Sequence, residues 1–198
     1  MLEMGCGYGW HCRYAAENGA AYILGIDLSE KMLNNAKEKN SHERIEYRLC
    51  GIEEYNYPAE EFDLAVSNLA LHYIEDLDEV YRNVYRTLRP DGVFLFNIEH
   101  PVFTAGVNQE WFTENGEPKH WPVDNYYHPG KRETVFLGQK VEKYHHTLTQ
   151  ILDGLLRCGF TLEAVTEAMP AASDRHLPWM KDEMRRPMML LVRARKGN

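Results

Sequence analysis

The sequence predicts an α/β protein built on a mostly parallel sheet, and three observations predict it. Short apolar runs alternate with amphipathic stretches from residue 1 to about 98, the pattern of repeated strand-helix units in which each crossover helix lies against the sheet. The first apolar run leads into a turn with glycine at every second position, Gly5, Gly7 and Gly9. After Glu99-His100-Pro101 the composition shifts to aromatics and turn formers, and regular patterning returns only near Leu148.

Strands are expected at residues 1–4, 22–26, 45–49, 62–67 and 93–98. A helix begins near Trp10, behind the glycine turn. Ser29 caps a second over residues 31–39, because its hydroxyl can accept from a free amide of the first turn. Leu77, Val80, Tyr81, Val84, Tyr85 and Leu88 share one helical face before Pro90 and Gly92 stop it. Residues 101–146 carry Phe103, Trp111, Phe112, Trp121, Tyr126, Tyr127, Phe136 and Tyr144, with a hairpin expected from 133–137 and 140–144 around Gly138-Gln139. Leu148, Ile151, Leu152, Leu155 and Leu156 line a last helix, closed by Gly159 where a left-handed cap is wanted. Strands at 161–167 and 188–195 finish the chain, giving one domain over 1–198 with an aromatic-rich insertion at about 101–146.

Composition narrows the function. At 198 residues, with 44% hydrophobic and 26% charged residues, the chain is the size of one domain able to bury roughly 70% of its unfolded surface. No run approaches the ~20 apolar residues of a membrane span, and the amino terminus lacks the basic and apolar regions of a secretion signal, so a cytoplasmic location is expected. The 4 cysteines lack paired metal or disulfide spacing, and the 9 histidines lack ligand spacing, so no metal site is expected. A net charge of -8 works against nucleic-acid or anionic-membrane partners, whose binding draws on clustered Lys and Arg. The one basic pair, Arg185-Arg186, sits beside Asp182-Glu183.

A strand, a tight glycine loop and a helix amino terminus bring bare backbone close to whatever lies above the strand, the outline of a nucleotide-cofactor site. Asp27, ending the second strand in GIDLSEKML, is placed to take both hydroxyls of a ribose. The glycines read GxGxG, and Trp10 fills the next position, which argues against a dinucleotide. Glu3, ahead of the glycines, would repel a pyrophosphate but tolerates a cofactor with an amino group and a sulfonium cation.

Glu3-Met4-Gly5-Cys6-Gly7-Tyr8-Gly9, then GIDLSEKML, FDLAVSNLALHYI and LRPDG, in that order, resemble a class I S-adenosylmethionine-dependent methyltransferase, most closely the ubiquinone and menaquinone biosynthesis branch. The motifs cover residues 1–100. The resemblance implies a Rossmann-like sheet of seven strands, helices on both faces and the last strand antiparallel. It implies that Gly5, Gly7 and Gly9 pass under the methionyl part of S-adenosylmethionine, with Glu3 near its amino group and Asp27 on the ribose. Leu28 and Met32 would line the adenine; Ile52 and Glu53 stand where the family usually has Asp-Ala reading the adenine edge; Asn68 and Leu69 would lie beside the methionyl chain. Family members normally carry one or two helices ahead of the first strand. This sequence starts at the strand itself, so either its start is short or the site is more open than usual, and in the given form weak cofactor binding is expected.

Methyl transfer to an activated carbon mainly needs alignment and exclusion of water, so a base is optional. Where the acceptor must lose a proton, His100 is the first candidate, His72 the second and His145-His146 the third, with Glu99 placed to orient the His100 ring. Trp111, Trp121, Tyr126 and Tyr144 are candidates to wall a pocket for a flat or apolar small molecule, or to form a satellite core under the long insertion. The expected activity is therefore S-adenosylmethionine-dependent methylation of a small molecule. The alternatives are a catalytically inactive cofactor-binding or interaction module and, disfavoured by Trp10 and Glu3, a nicotinamide-dependent oxidoreductase.

Overall fold

The computed structural model describes residues 1–106, 108–136 and 138–197. Its centre is β1 (Leu2–Met4), three residues buried on both faces. On one side β1 pairs in parallel with β2 (Ile23–Asp27), which pairs with β3 (Ile45–Leu49); on the other it pairs with β4 (Phe62–Asn68), then β5 (Leu88–Glu99). The sheet is completed by β11 (Met189–Lys196), antiparallel to both β5 and β10 (Phe160–Glu167), giving the order β10-β11-β5-β4-β1-β2-β3. This is the seven-strand arrangement expected, with one antiparallel strand.

The period-two alternation of a strand decides which face each helix covers. Ile23 of β2 packs with Cys12, Ala16 and Leu33 of α1 (Trp10–Glu17) and α2 (Glu30–Lys39). Its neighbour Leu24 joins the larger core, where α3 (Leu77–Thr87) and α5 (Leu148–Cys158) contribute Val80, Tyr81, Val84, Ile151 and Leu155. Local signals start and stop these helices: Ser29 and Asp76 accept from the amides of Met32 and Glu79. Thr147 and Gln150 form a reciprocal capping box, and Gly159 closes α5 in the left-handed region at φ 103.

Two stretches differ from the sequence reading. The strand expected at 93–98 begins five residues earlier, at Leu88, and pairs there with Phe62 across an irregularity that absorbs Pro90. A second hairpin, β6 (Phe112–Glu114) and β7 (Glu117–His120), turns at Asn115-Gly116, both with positive φ. The expected hairpin forms as β8 (Gly130–Phe136) and β9 (Gln139–His145); Leu137 lies outside the described residues. Among the described residues no helix is long and apolar enough to cross a membrane.

Candidate active site

In the sheet β1 lies between β2 and β4, so the carboxyl ends of β1, β2 and β4 frame the crevice where open α/β sheets bind ligands. The glycine loop forms its floor. The amides of Gly5 and Cys6 both donate to the Ile26 carbonyl at 2.9 Å, and the Gly7 amide donates to Asp27 Oδ2 at 2.8 Å. Asp27 Oδ1 accepts from the Ser29 amide at 2.8 Å, so this one carboxylate braces the glycine loop and the entry to α2 together.

Gly5, Gly7 and Gly9 all have positive φ, at 71°, 54° and 78°. A Cβ on Gly5 would lie 2.4 Å from the Ala70 Cβ, and one on Gly9 would lie 2.2 Å from the Tyr47 hydroxyl oxygen. A Cβ on Gly7 would meet nothing within 4 Å. The loop is thus clamped at both ends and opens at its middle, a cradle of bare backbone. Leu28 is 73% exposed and Met32 44%, apolar side chains at the rim without a protein partner to bury them. Ile52 is buried, with its carbonyl accepting from the Tyr57 hydroxyl at 2.8 Å, and Glu53 is exposed.

Glu3 is 1% exposed and turned under the loop. Its Oε1 accepts from His11 Nδ1 at 2.9 Å and its Oε2 from the Cys12 thiol at 2.8 Å. A hydrogen bond with Cys6, burial and the Glu3 charge push the Cys12 thiol pKa far up, so Cys12 stays a proton donor. Glu3 therefore ties β1 to the first turns of α1 and holds the loop from below.

At the end of β4, Leu69 is a non-glycine residue at φ 57, held by its amide donating to the Asn97 carbonyl at 2.8 Å. Backbone held in this sparsely populated region concentrates at functional sites. Beside it Asn68 accepts from the Asn97 side-chain amide at 3.0 Å. Leu69 also lines a cavity of about 800 Å³ that runs from the carboxyl ends of β4 and β5 to the β8–β9 hairpin and the start of β11. Its walls are mixed: Tyr73, Phe103, Val135, Met188 and Met189 are apolar, while His72, Glu99 and Lys143 form a buried polar group.

That group is joined by an ion pair. Lys143 Nζ donates to Glu99 Oε1 at 2.5 Å, with both side chains at least nine-tenths buried, and His72 Nε2 stands 3.8 Å from the same oxygen, beyond hydrogen-bond reach. Burial, then the positive fields of Lys143 and His146, pull His72 down to about 3, so it is neutral at physiological pH. Among the described residues, His72 Nδ1 and Glu99 Oε2 have no hydrogen-bond partner.

His100, His145 and His146 are each held by contacts within the fold. His100 caps α4 (Pro101–Thr104), its Nδ1 accepting from the Val102 amide at 3.0 Å, while Nε2 lies 3.0 Å from Glu167 Oε1 without the alignment of a hydrogen bond. Burial lowers its pKa despite Glu167, and it does not line the cavity. His145 Nε2 donates to the Tyr126 carbonyl and its Nδ1 meets Thr104 Oγ1 at 2.7 Å; His146 Nε2 donates to the Ile74 carbonyl. Glu99 orients no part of His100, because consecutive residues at a strand end point to opposite sides; its partner is Lys143.

The aromatic insertion builds a satellite core. Trp121 stacks on Phe103 at 5.2 Å, meets Trp111 edge-on at 5.4 Å and donates its indole N–H to the Val102 carbonyl, with the Arg186 guanidinium 4.4 Å over its ring. Of the cavity's aromatics, Tyr73 and Phe103 take the place expected for Trp111, Trp121, Tyr126 and Tyr144. Sequence reading missed Lys143. Its signal was phase: on β9 it alternates inward with Val141 and His145, a lysine on the buried face of a hairpin. Among the described residues no cluster of three metal-ligating side chains occurs.

Comparison with known proteins gives a consistent picture. The family model described as a methyltransferase domain matches residues 2–96. A crystal structure of a putative S-adenosylmethionine-dependent methyltransferase from Listeria monocytogenes superimposes with a TM-score of 0.96 at 46% identity, covering 100% of this chain and 89% of that one. The S-adenosylmethionine-dependent methyltransferase from Mesorhizobium loti superimposes with a TM-score of 0.91 at 41% identity, over 98% of this chain and 89% of that one. N-demethylindolmycin N-methyltransferase of Streptomyces griseus is 28% identical over 203 residues, 98% of this chain and 79% of that enzyme.

Proposed function

Because the chain belongs to the S-adenosylmethionine-dependent methyltransferases, with that molecule as its cofactor, we propose that the glycine crevice holds the cofactor and the adjoining cavity holds a small-molecule acceptor. The single observation that carries this reading is Leu69, whose strained backbone ends β4 beside the crevice and whose side chain lines the 800 Å³ cavity. One residue thus borders both compartments.

Bound S-adenosylmethionine supplies a methyl group on a sulfonium, electrophilic enough that the protein need only align and shield the acceptor. Gly5, Gly7 and Gly9 would pass beneath the methionyl part, the open side of Gly7 leaving room for it. Asp27, already fixed by two amides, has lone pairs left for the ribose hydroxyls, and that fixation removes the entropic cost of ordering it at binding. Leu28 and Met32 would bury their exposed side chains against the adenine, with Ile52 and Glu53 at its far edge. Asn68 and Leu69 would flank the methionyl chain. Glu3 acts through His11 and Cys12 to set the loop, rather than on the cofactor's amino group directly.

On the acceptor side, the buried position of His72 and its depressed pKa suit hydrogen bonding to an acceptor N–H or O–H better than storing a proton. His100, fixed by α4 and set beside Glu167, positions the backbone that follows β5. The cavity's size and the chain's net charge of -8 favour a small-molecule acceptor over nucleic acid. Calorimetry with S-adenosylhomocysteine tests the core of this reading. Wild-type protein is expected to bind one equivalent, and Asp27→Asn to lose about tenfold or more in affinity, the size of a lost charged hydrogen bond. Unchanged affinity in Asp27→Asn would remove Asp27 from the site.

A further inference from the structure

Where β4 meets the crevice, the chain presents an amide. Asn68 ends β4 one residue past the Met4–Ser67 register pair, and Ala70 lies against Gly5, so Asn68 stands at the head of the glycine loop. Asn97, opposite it on β5, grips this corner twice. Its carbonyl accepts from the Leu69 amide at 2.8 Å, and its side-chain Nδ2 donates to Asn68 Oδ1 at 3.0 Å. A primary amide has one carbonyl and one N–H2 group, so tying down the oxygen leaves the nitrogen as the outward group. Among the described residues Asn68 Nδ2 donates to nothing, and it is not closed off from solvent as Asn97 Oδ1 is. The crevice is thus offered a donor.

The methionyl part of the cofactor carries an ammonium and a carboxylate. Residues 3–9, 27–29 and 68–70, which frame the crevice, include Glu3 and Asp27 but no lysine or arginine. This frame therefore offers the carboxylate neutral donors alone, the loop amides and Asn68. Resting on the methyl-transfer reading above, we infer that the Asn68 N–H2 group reads the cofactor's carboxylate, and that Asn97 is a positioning residue that holds the Asn68 amide in the orientation that does so. Turned over, Asn68 would aim its carbonyl oxygen at that carboxylate, two acceptors with no proton between them. Because the Asn97 carbonyl also holds the left-handed Leu69, one residue of β5 fixes both the backbone and the side chain that end β4.

Two ligands that differ by one group test this: S-adenosylhomocysteine and its decarboxylated form, which keeps the amine, each titrated by calorimetry into wild-type protein and three variants. Wild type is expected to bind S-adenosylhomocysteine at least about tenfold more tightly than the decarboxylated form. Asn68→Leu should cut this preference by about fivefold or more. Asn97→Asp replaces the donor by a group that only accepts, so Asn68 turns its N–H2 inward. S-adenosylhomocysteine should then bind at least about tenfold more weakly, and the decarboxylated form within about threefold of its wild-type affinity. The double variant Asn68→Leu/Asn97→Asp separates this from plain charge repulsion, since the aspartate should cost less than about threefold once the Asn68 amide is gone. Equal losses for the two ligands, an unchanged preference in Asn68→Leu, or a full aspartate effect in the double variant would overturn the inference. Failure of S-adenosylhomocysteine to bind wild-type protein would instead strike the cofactor assignment, so the two readings fail separately.

Discussion

The crevice above β1 and the cavity beyond β4 lie side by side, yet they are built by opposite means. The floor of the crevice is made from backbone: three glycines at positive φ and amides donating to Ile26 and Asp27, within residues 3–29 of the chain. The cavity floor is made from side chains brought from afar, His72 after β4, Glu99 ending β5 and Lys143 on the inner face of β9, with Lys143 44 residues from its partner. A site that accepts one fixed cofactor can be specified by local conformation. Under the proposed function, the acceptor cavity is specified instead by which side chains the fold brings together.

This contrast predicts different failures. The largest effect is expected at the floor: Glu99→Ala strips Lys143 of its carboxylate in a buried place and should destabilise folding by about 3–5 kcal/mol, read as a lowered urea midpoint. The double variant Glu99→Leu/Lys143→Met should recover most of that loss, because no buried charge is left uncompensated. Equal destabilisation in the single and double variants would mean that packing, not charge, is what the pair supplies.

In the crevice the corresponding break is conformational. Gly5→Ala combines a left-handed backbone with a Cβ 2.4 Å from Ala70, and neither backbone nor a methyl group can swing aside. About 3 kcal/mol is expected, from roughly 1–2 for the conformation and a similar amount for the overlap. Gly7→Ala has the same sign of φ but open space, so only the conformational part of about 1–2 kcal/mol applies. Calorimetric affinity for S-adenosylhomocysteine and thermal unfolding should rank the two variants in that order.

Acid separates the regions next. His72 has a folded pKa of about 3, below its unfolded value near 6.5. Between those values the unfolded chain binds a proton that the folded chain refuses, so stability is full above about pH 6.5 and declines as pH falls toward 3. His100, His145 and His146, also lowered by burial, add to the same slope. His72→Gln should reduce the slope by close to one proton, about 1.4 kcal/mol per pH unit in the steep part; urea midpoints at pH 4.5, 5.5 and 7 would show it. The smallest effect is expected at Glu167→Gln, whose carboxylate is 61% exposed where it meets His100. Less than about 1 kcal/mol should be lost there, with methyl transfer unchanged.

Much of the fold was legible because its signals are local. Ser29 and Gly159 announce helix ends by hydrogen-bonding chemistry that operates within four residues. The hairpin at Asn115-Gly116 has a local signal too, since both residues tolerate the positive φ that a two-residue turn requires. For the proposed site, Asp27 and the glycines are marked in the sequence by their position behind strands, whereas the order of His100 and His72 as candidates rests on adjacency to a strand end. Adjacency says nothing about direction: His100 turns to cap α4, and His72 lines the cavity.

What the amino-acid sequence determined by itself is the order of strands and helices, the glycine loop and the carboxylate that grips it, because strand alternation, caps and left-handed turns are each settled by a few neighbouring residues. Only the tertiary structure decided that Glu3 serves the loop from beneath, that the tryptophans pack on one another, and that Glu99 meets Lys143 beside a neutral His72. Those are pairings across long loops, fixed by which faces the closed sheet and its hairpin turn toward each other, and no short stretch of chain contains them.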